Sequence, residues 1–87
     1  LPKTAWPPTF MEDVGTRLAT YFLERCRSEG SDSFTVPMKW KELAAYLGTT
    51  AETLSRKLRN FEDEGVIRRK GRHVEILDRK DLEDRAS

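Results

Sequence analysis

Apolar residues recur along this chain with two different periods, and the change of period marks out its elements. Val14, Leu18, Phe22 and Cys26 fall every four residues, with Met11, Gly15 and Ala19 widening the stripe. That spacing predicts a long first helix from about Phe10 to Ser28 with one buried face, and Glu12 and Asp13 in its first turn suit the helix dipole. Gly30 to Ser33 reads as a polar loop, and Phe34-Thr-Val36 as a short strand stopped by Pro37. Trp40 to Leu47 is a second helix, with Leu43, Ala44 and Leu47 facing inward and Gly48 ending it. A third helix restarts at once behind Thr50 as its cap and runs to Glu64, where Gly65 stops it. From Val66 to Leu77 the pattern becomes that of two strands turning near Lys70-Gly71. Asp78 can cap a final short helix, Arg79 to Arg85, anchored by Leu82.

The third helix has two chemically different faces. At roughly 100° per residue, Leu54, Leu58 and Phe61 cluster on one side, and Glu52, Ser55, Arg56 and Arg59 almost opposite. Two helices joined through a glycine and followed by a hairpin predict an α+β fold, a winged helix-turn-helix with a three-helix core and a β-hairpin wing. In this register Leu54, Leu58, Phe61 and Ile67 are buried with Leu18, Phe22, Leu43 and Leu47. Residues 1–9 hold three of the four prolines and read as a connector whose Trp6 is free to fold back on the domain. The winged domain then spans 10–78, and 79–87 form a short C-terminal helix and tail.

Eighty-seven residues suffice for one core but not for a second, ligand-binding domain. With 37% hydrophobic and 36% charged residues the chain reads as a soluble, cytoplasmic protein, and it has no apolar run of the roughly 20 residues that a membrane span requires. Its start without methionine on a proline-rich segment suggests a piece of a longer protein. The net charge of +1 is unremarkable, but its distribution is not. Between Glu52 and His73 lie seven basic residues against four acidic ones, of which Glu62, Asp63 and Glu64 form one block. The third helix and the hairpin can therefore be positive while the rest is neutral or acidic.

Glu52-Thr-Leu-Ser55-Arg56, preceded by Glu42-Leu43-Ala44 and Leu47-Gly48 and followed by Gly65-Val-Ile67, resembles the DNA-binding domain of the CRP/FNR family of bacterial transcription regulators. The similarity runs from about Val14 to about Leu82. It implies sequence-specific binding of double-stranded DNA by a non-enzymatic protein, with the helix of about 51–64 in the major groove and the wing of 66–77 near the phosphate backbone. It also implies a homodimer on a palindromic operator, formed through a missing N-terminal region that would carry the sensor, and contact with RNA polymerase through the loop of Arg27 to Ser33. Neither cofactor nor metal is expected in this fragment, nor a membrane partner. Two departures stand out. Lys39 occupies a position where the family has Ser or Thr, which costs about 1 kcal/mol of capping and makes Lys39 a candidate surface or phosphate contact. Ala51 replaces an arginine used by some members as a further base contact and tilts the expected half-site toward the TTGA type.

The residue chemistry agrees with that resemblance. An arginine such as Arg56 can bond bidentately to guanine, and a carboxylate such as Glu52 can accept from cytosine. A carboxylate facing phosphates is otherwise unfavourable, so Glu52 one turn before Arg56 points to base reading, although an exposed ion pair between them accounts for the free protein equally well. By the resemblance Glu52, Ser55 and Arg56 are the base readers. Thr50, Thr53, Lys57 and Arg59 flank them, and Lys70 and Arg72 sit at the wing tip; all six are candidate phosphate contacts. Cys26 reads as a small core residue and His73 as a surface residue on the wing; their spacing makes no metal or catalytic motif. Trp40, Tyr46 and Tyr21 hold helical positions that favour packing over a base-stacking platform. The rival reading is a winged-helix protein-interaction module, which an exposed apolar patch on the outer face of the third helix would favour.

Overall fold

Most helix ends along this chain fall where the sequence supplies partners for the terminal backbone groups. The structure, a computed structural model, describes residues 14–86; the connector, Trp6 and the predicted helix start with Met11, Glu12 and Asp13 lie outside them. Within that range the chain runs α1 (Val14–Glu29), β1 (Ser33–Thr35), α2 (Trp40–Tyr46), α3 (Ala51–Asp63), β2 (Ile67–Lys70), β3 (His73–Ile76) and α4 (Arg79–Ala86).

The α2–turn–α3 unit is closed by local chemistry. At the end of α2, Gly48 N–H donates to the Ala45 carbonyl and Thr49 N–H to the Ala44 carbonyl, a Schellman closure that needs the left-handed φ of 76° that Gly48 adopts without strain. The Leu47 carbonyl, which the helix leaves without an internal donor, accepts from Arg17 Nη1 on α1 at 2.5 Å. Thr50 caps α3, its hydroxyl accepting from Thr53 N–H at 3.1 Å. Gly65, at φ 74°, repeats the Schellman closure at the far end, with Val66 N–H donating to the Phe61 carbonyl. The weak cap expected at Lys39 is partly offset. An ammonium has no lone pair with which to cap a helix, but the Glu42 carboxylate accepts from Lys39 N–H at 3.0 Å and completes one half of a capping box.

All eight residues expected in the core are buried, together with Phe34, Val36, Val66, Val74, Ile76 and Leu82. Cys26 is buried among them, and burial pushes its thiol pKa up. The core lies where α1 crosses behind the helix-turn-helix, and the sheet closes one side.

That sheet has three strands, not the two of a simple hairpin. β1 pairs antiparallel with β3, placing Phe34 opposite Val74, and β2 pairs with the other edge of β3, placing Ile67 opposite Ile76, so the order is β1-β3-β2. Isolated two-stranded hairpins are marginal, and the third strand roots the wing in the domain. The fourth helix is equally integral. Asp78 caps it by accepting from Asp81 N–H, Leu82 is fully buried, and α4 lies mainly against α1. Arg85 bonds Asp81 and Glu64 and stacks over Phe61, tying α4 to the end of α3; those hydrogen bonds, Asp81 first, raise its pKa further.

One packing expectation needs correction. Tyr21 is buried and Trp40 half-buried, but Tyr46 is 49% exposed. The inward face of α2 is filled by Leu43, Ala44 and Leu47, so the Tyr46 ring is turned outward and meets Tyr21 edge-on at 6.2 Å.

Candidate nucleic-acid interface

Beyond the small Ala51 at its first position, the exposed face of α3 carries polar and charged groups. Glu52, Ser55, Arg56 and Arg59 are all exposed, while Leu54, Leu58 and Phe61 on the opposite side are sealed in the core. Glu52 and Arg56 pair at 3.0 Å, with side chains 78% and 68% exposed. A pair so well hydrated is held weakly, so both groups can exchange this contact for one with a base. Thr50 and Thr53, at the N-terminal end, share a hydroxyl–hydroxyl bond of 3.0 Å and lie beside the positive end of the helix dipole.

Period two in β2 sorts the wing cations. Ile67 is buried and Arg69 half-buried on the inner face, while Arg68 and Lys70 point outward. Arg68 reaches Glu75 on the neighbouring strand at 3.7 Å. Lys70 and Arg72 are exposed at the tip and take part in no ion pair with a described residue. Arg59 is likewise exposed and unpaired among the described residues. Lys57 is different. It is half-buried on the flank of α3, where it lines a cleft of about 370 Å³ with Gly15, Thr16, Asn60, Glu64 and Arg85.

The structure thus places Thr50, Glu52, Thr53, Ser55, Arg56 and Arg59 along one helix, and Lys70 and Arg72 on the adjoining wing. His73 is exposed on β3, its two ring nitrogens bonded to the Ser33 hydroxyl at 2.8 Å and the Thr35 hydroxyl at 3.1 Å across the strand pair. Among the described residues no cluster of histidine, cysteine and acidic side chains is arranged to hold a metal ion, and no helix is long and apolar enough to cross a membrane.

A second set of residues escaped the sequence reading. The Trp40 indole N–H donates to the Gly71 carbonyl at 3.1 Å, the Arg69 guanidinium lies over the Trp40 ring at 5.5 Å, and Arg69 Nε donates to Glu62 at 2.9 Å. The available signal was the strand alternation that puts Arg69 on the same face as buried Ile67.

A capped helix with a polar outer face, standing beside a rooted wing with unpaired cations at its tip, defines a winged helix-turn-helix of the kind found in DNA-binding regulators. Residues 16–85 match the model of the Crp-like helix-turn-helix domain, and the chain belongs to that family. It is 45% identical over 73 residues to a probable transcriptional regulator, flp, of Lacticaseibacillus casei, covering 84% of this chain and 33% of that protein. It is 33% identical over 67 residues to the transcriptional activator protein FnrA of Stutzerimonas stutzeri, covering 71% of this chain and 28% of that one. Among solved structures, FixK2 from Bradyrhizobium japonicum superposes with a TM-score of 0.79 at 28% identity, over 87% of this chain and 39% of that one. The chain spans about a third of the length of these relatives. The first two are a probable transcriptional regulator and a transcriptional activator, and the family is one of regulators rather than enzymes.

Proposed function

We propose that this chain binds double-stranded DNA sequence-specifically, with α3 in the major groove and the wing along the adjacent backbone. The observation that carries this reading is the exposed Glu52–Ser55–Arg56 face on a helix whose opposite side is entirely core. A major groove admits one helix and displays donors and acceptors that Arg56 and Glu52 complement, guanine for the first and cytosine for the second. Ser55 lies between them and completes the set of readers. Thr50, Thr53 and Arg59 would hold phosphates on either side of the groove, and Lys70 and Arg72 those beneath the wing. Lys57 reaches the backbone from the flank of the helix, with its stem in the cleft.

In the intact regulator two such domains act as a homodimer on a palindromic operator, their recognition helices about 34 Å apart in successive major grooves. Ala51 in place of a base-reading arginine favours a TTGA-type half-site. The reading needs no cofactor in these residues and places the protein in the cytoplasm, where RNA polymerase would meet the loop between α1 and β1.

Binding selections on a randomised half-site test this directly. Arg56→Ala should cost roughly 1–3 kcal/mol on the preferred site and little on random DNA. Glu52→Ala should keep or raise non-specific affinity while relaxing base choice at one position. Loss of affinity that is uniform over all sequences would show that neither residue reads bases.

A further inference from the structure

The wing and the recognition helix are joined by side chains that have no place in contacting DNA. Glu62 leaves α3 near its C-terminal end, Arg69 leaves the inner face of β2, and Trp40 is the first residue of α2. Arg69 meets both of the others, bonded through Nε to Glu62 at 2.9 Å and with its guanidinium over the indole ring, 5.5 Å from its centre. The indole N–H in turn holds the Gly71 carbonyl at the wing tip. Side-chain exposures of 27% for Arg69 and 28% for Glu62 separate this pair from the freely hydrated Glu52–Arg56 pair. A planar guanidinium suits such a position, because it can stack and donate at once, which an ammonium cannot.

We propose that Trp40, Arg69 and Glu62 form a strut that sets the distance between wing tip and recognition helix, so that Lys70 and Arg72 meet phosphates while Glu52 and Arg56 face bases. The three are positioning residues, and the proposal rests on the duplex-DNA reading above. In this arrangement Arg69 is not one of the wing's DNA contacts, although it lies in an unbroken basic run from Arg68 to Lys70. Glu62 is likewise a brace rather than an acid left to repel the backbone.

The sign of the Glu62→Gln effect separates the strut from plain electrostatics. Removing an acid near DNA should tighten binding if only charge matters, whereas loss of the strut should weaken it. A double-mutant cycle by fluorescence anisotropy on a TTGA-containing duplex supplies the second readout. In the wild-type background, Lys70→Ala with Arg72→Ala should weaken binding about tenfold or more through lost counterion release. In Glu62→Gln, Arg69→Met or Trp40→Phe the same removal should cost less than about threefold, because a wing tip no longer braced against α3 does not hold the backbone at the right distance. Arg69→Lys, which keeps the charge but loses the planar fork, should reduce the coupling less than Arg69→Met does. A purely stabilising role would lower the melting temperature and leave the cycle additive, and additivity in all three backgrounds overturns the strut.

Absence of duplex binding by the wild type would instead sink the DNA reading, and the strut is then judged without DNA. Amide residual dipolar couplings of α3, β2 and β3 should fit a single alignment frame in the wild type and separate frames in Arg69→Met. The same result for both proteins, whether one frame or two, overturns it.

Discussion

At the scale of single residues, magnitudes decide which contacts matter. An exposed i, i+4 ion pair such as Glu52–Arg56 is worth roughly 0.3–0.5 kcal/mol, and a good bidentate contact to a base roughly 1–3 kcal/mol. The pair therefore holds neither side chain firmly in the free protein, and a base contact would outweigh it. Tyr21 presents the opposite balance. Its ring is buried, but its hydroxyl meets no hydrogen-bond partner among the described residues, and a buried hydroxyl without a partner is a net cost. Tyr21→Phe should leave stability at pH 7 unchanged or raise it by about 0.5–1 kcal/mol, read by urea denaturation. Burial also pushes the phenol pKa up, outweighing the opposing pull of Arg25. Because the folded value lies above the unfolded one, the stability tied to the neutral phenol is fully present below about pH 10 and is lost as the pH rises through the folded value. The wild type should accordingly lose more stability than Tyr21→Phe on going from neutral pH to above pH 10. Equal losses would show that Tyr21 does not carry the alkaline transition.

At the scale of elements, α3 is the most informative, since one register must bury its apolar residues and present its polar ones. Leu58 is 1% exposed and Ser55, less than one turn earlier, is exposed. Leu58→Ala should cost about 2–5 kcal/mol, by lost burial and the cavity left behind. For a small domain that is a large part of the total. Ser55→Ala should change stability by no more than about 0.5 kcal/mol. Urea melts of the two variants side by side check the register, and comparable losses would mean that the helix is rotated from the orientation described. The turn before α3 is equally constrained, because at the Gly48 φ of 76° any side chain would be strained.

On the scale of the whole molecule the important quantity is where charge is left unpaired. A net charge of +1 would by itself attract DNA weakly. The fold consumes some cations in internal bonds, Arg25 with Glu29, Arg79 with Asp32 and Arg85 with Glu64 among them. It leaves Arg59, Lys70 and Arg72 exposed on the side of the recognition helix and wing. Duplex binding should fall steeply with salt, and removing Lys70 and Arg72 together should reduce the slope of log K against log salt by about 1.8, at about 0.9 per phosphate. The loss should be similar for all duplexes, specific or not. A salt titration in which the double variant keeps the wild-type slope would remove the wing tip from the interface.

The division between what was legible in the chain and what was not follows the range of the interactions. Helices α2 and α3, the glycine turn, the Thr50 cap and the two faces of α3 are set by neighbours within one or two turns, so residue types and spacing sufficed to place them. Lys39 shows the edge of that range: its failure as a side-chain cap was legible, and the compensating Glu42 carboxylate three residues on was missed. The β1–β3 pairing joins Phe34 to Val74 across a long stretch of chain, and no local pattern states which edge of a hairpin will take a third strand. Tyr46 misled because apolar character and helical position do not say which part of an element the core has room for; Leu43, Ala44 and Leu47 had already filled it. The basic run of the wing lies at the same limit, since composition counts Arg68, Arg69 and Lys70 alike and strand alternation separates only which face each takes. Only the tertiary structure, by bringing Trp40 and Glu62 to Arg69, decided what the inward guanidinium bonds, because a guanidinium's role depends on partners that arrive from other elements.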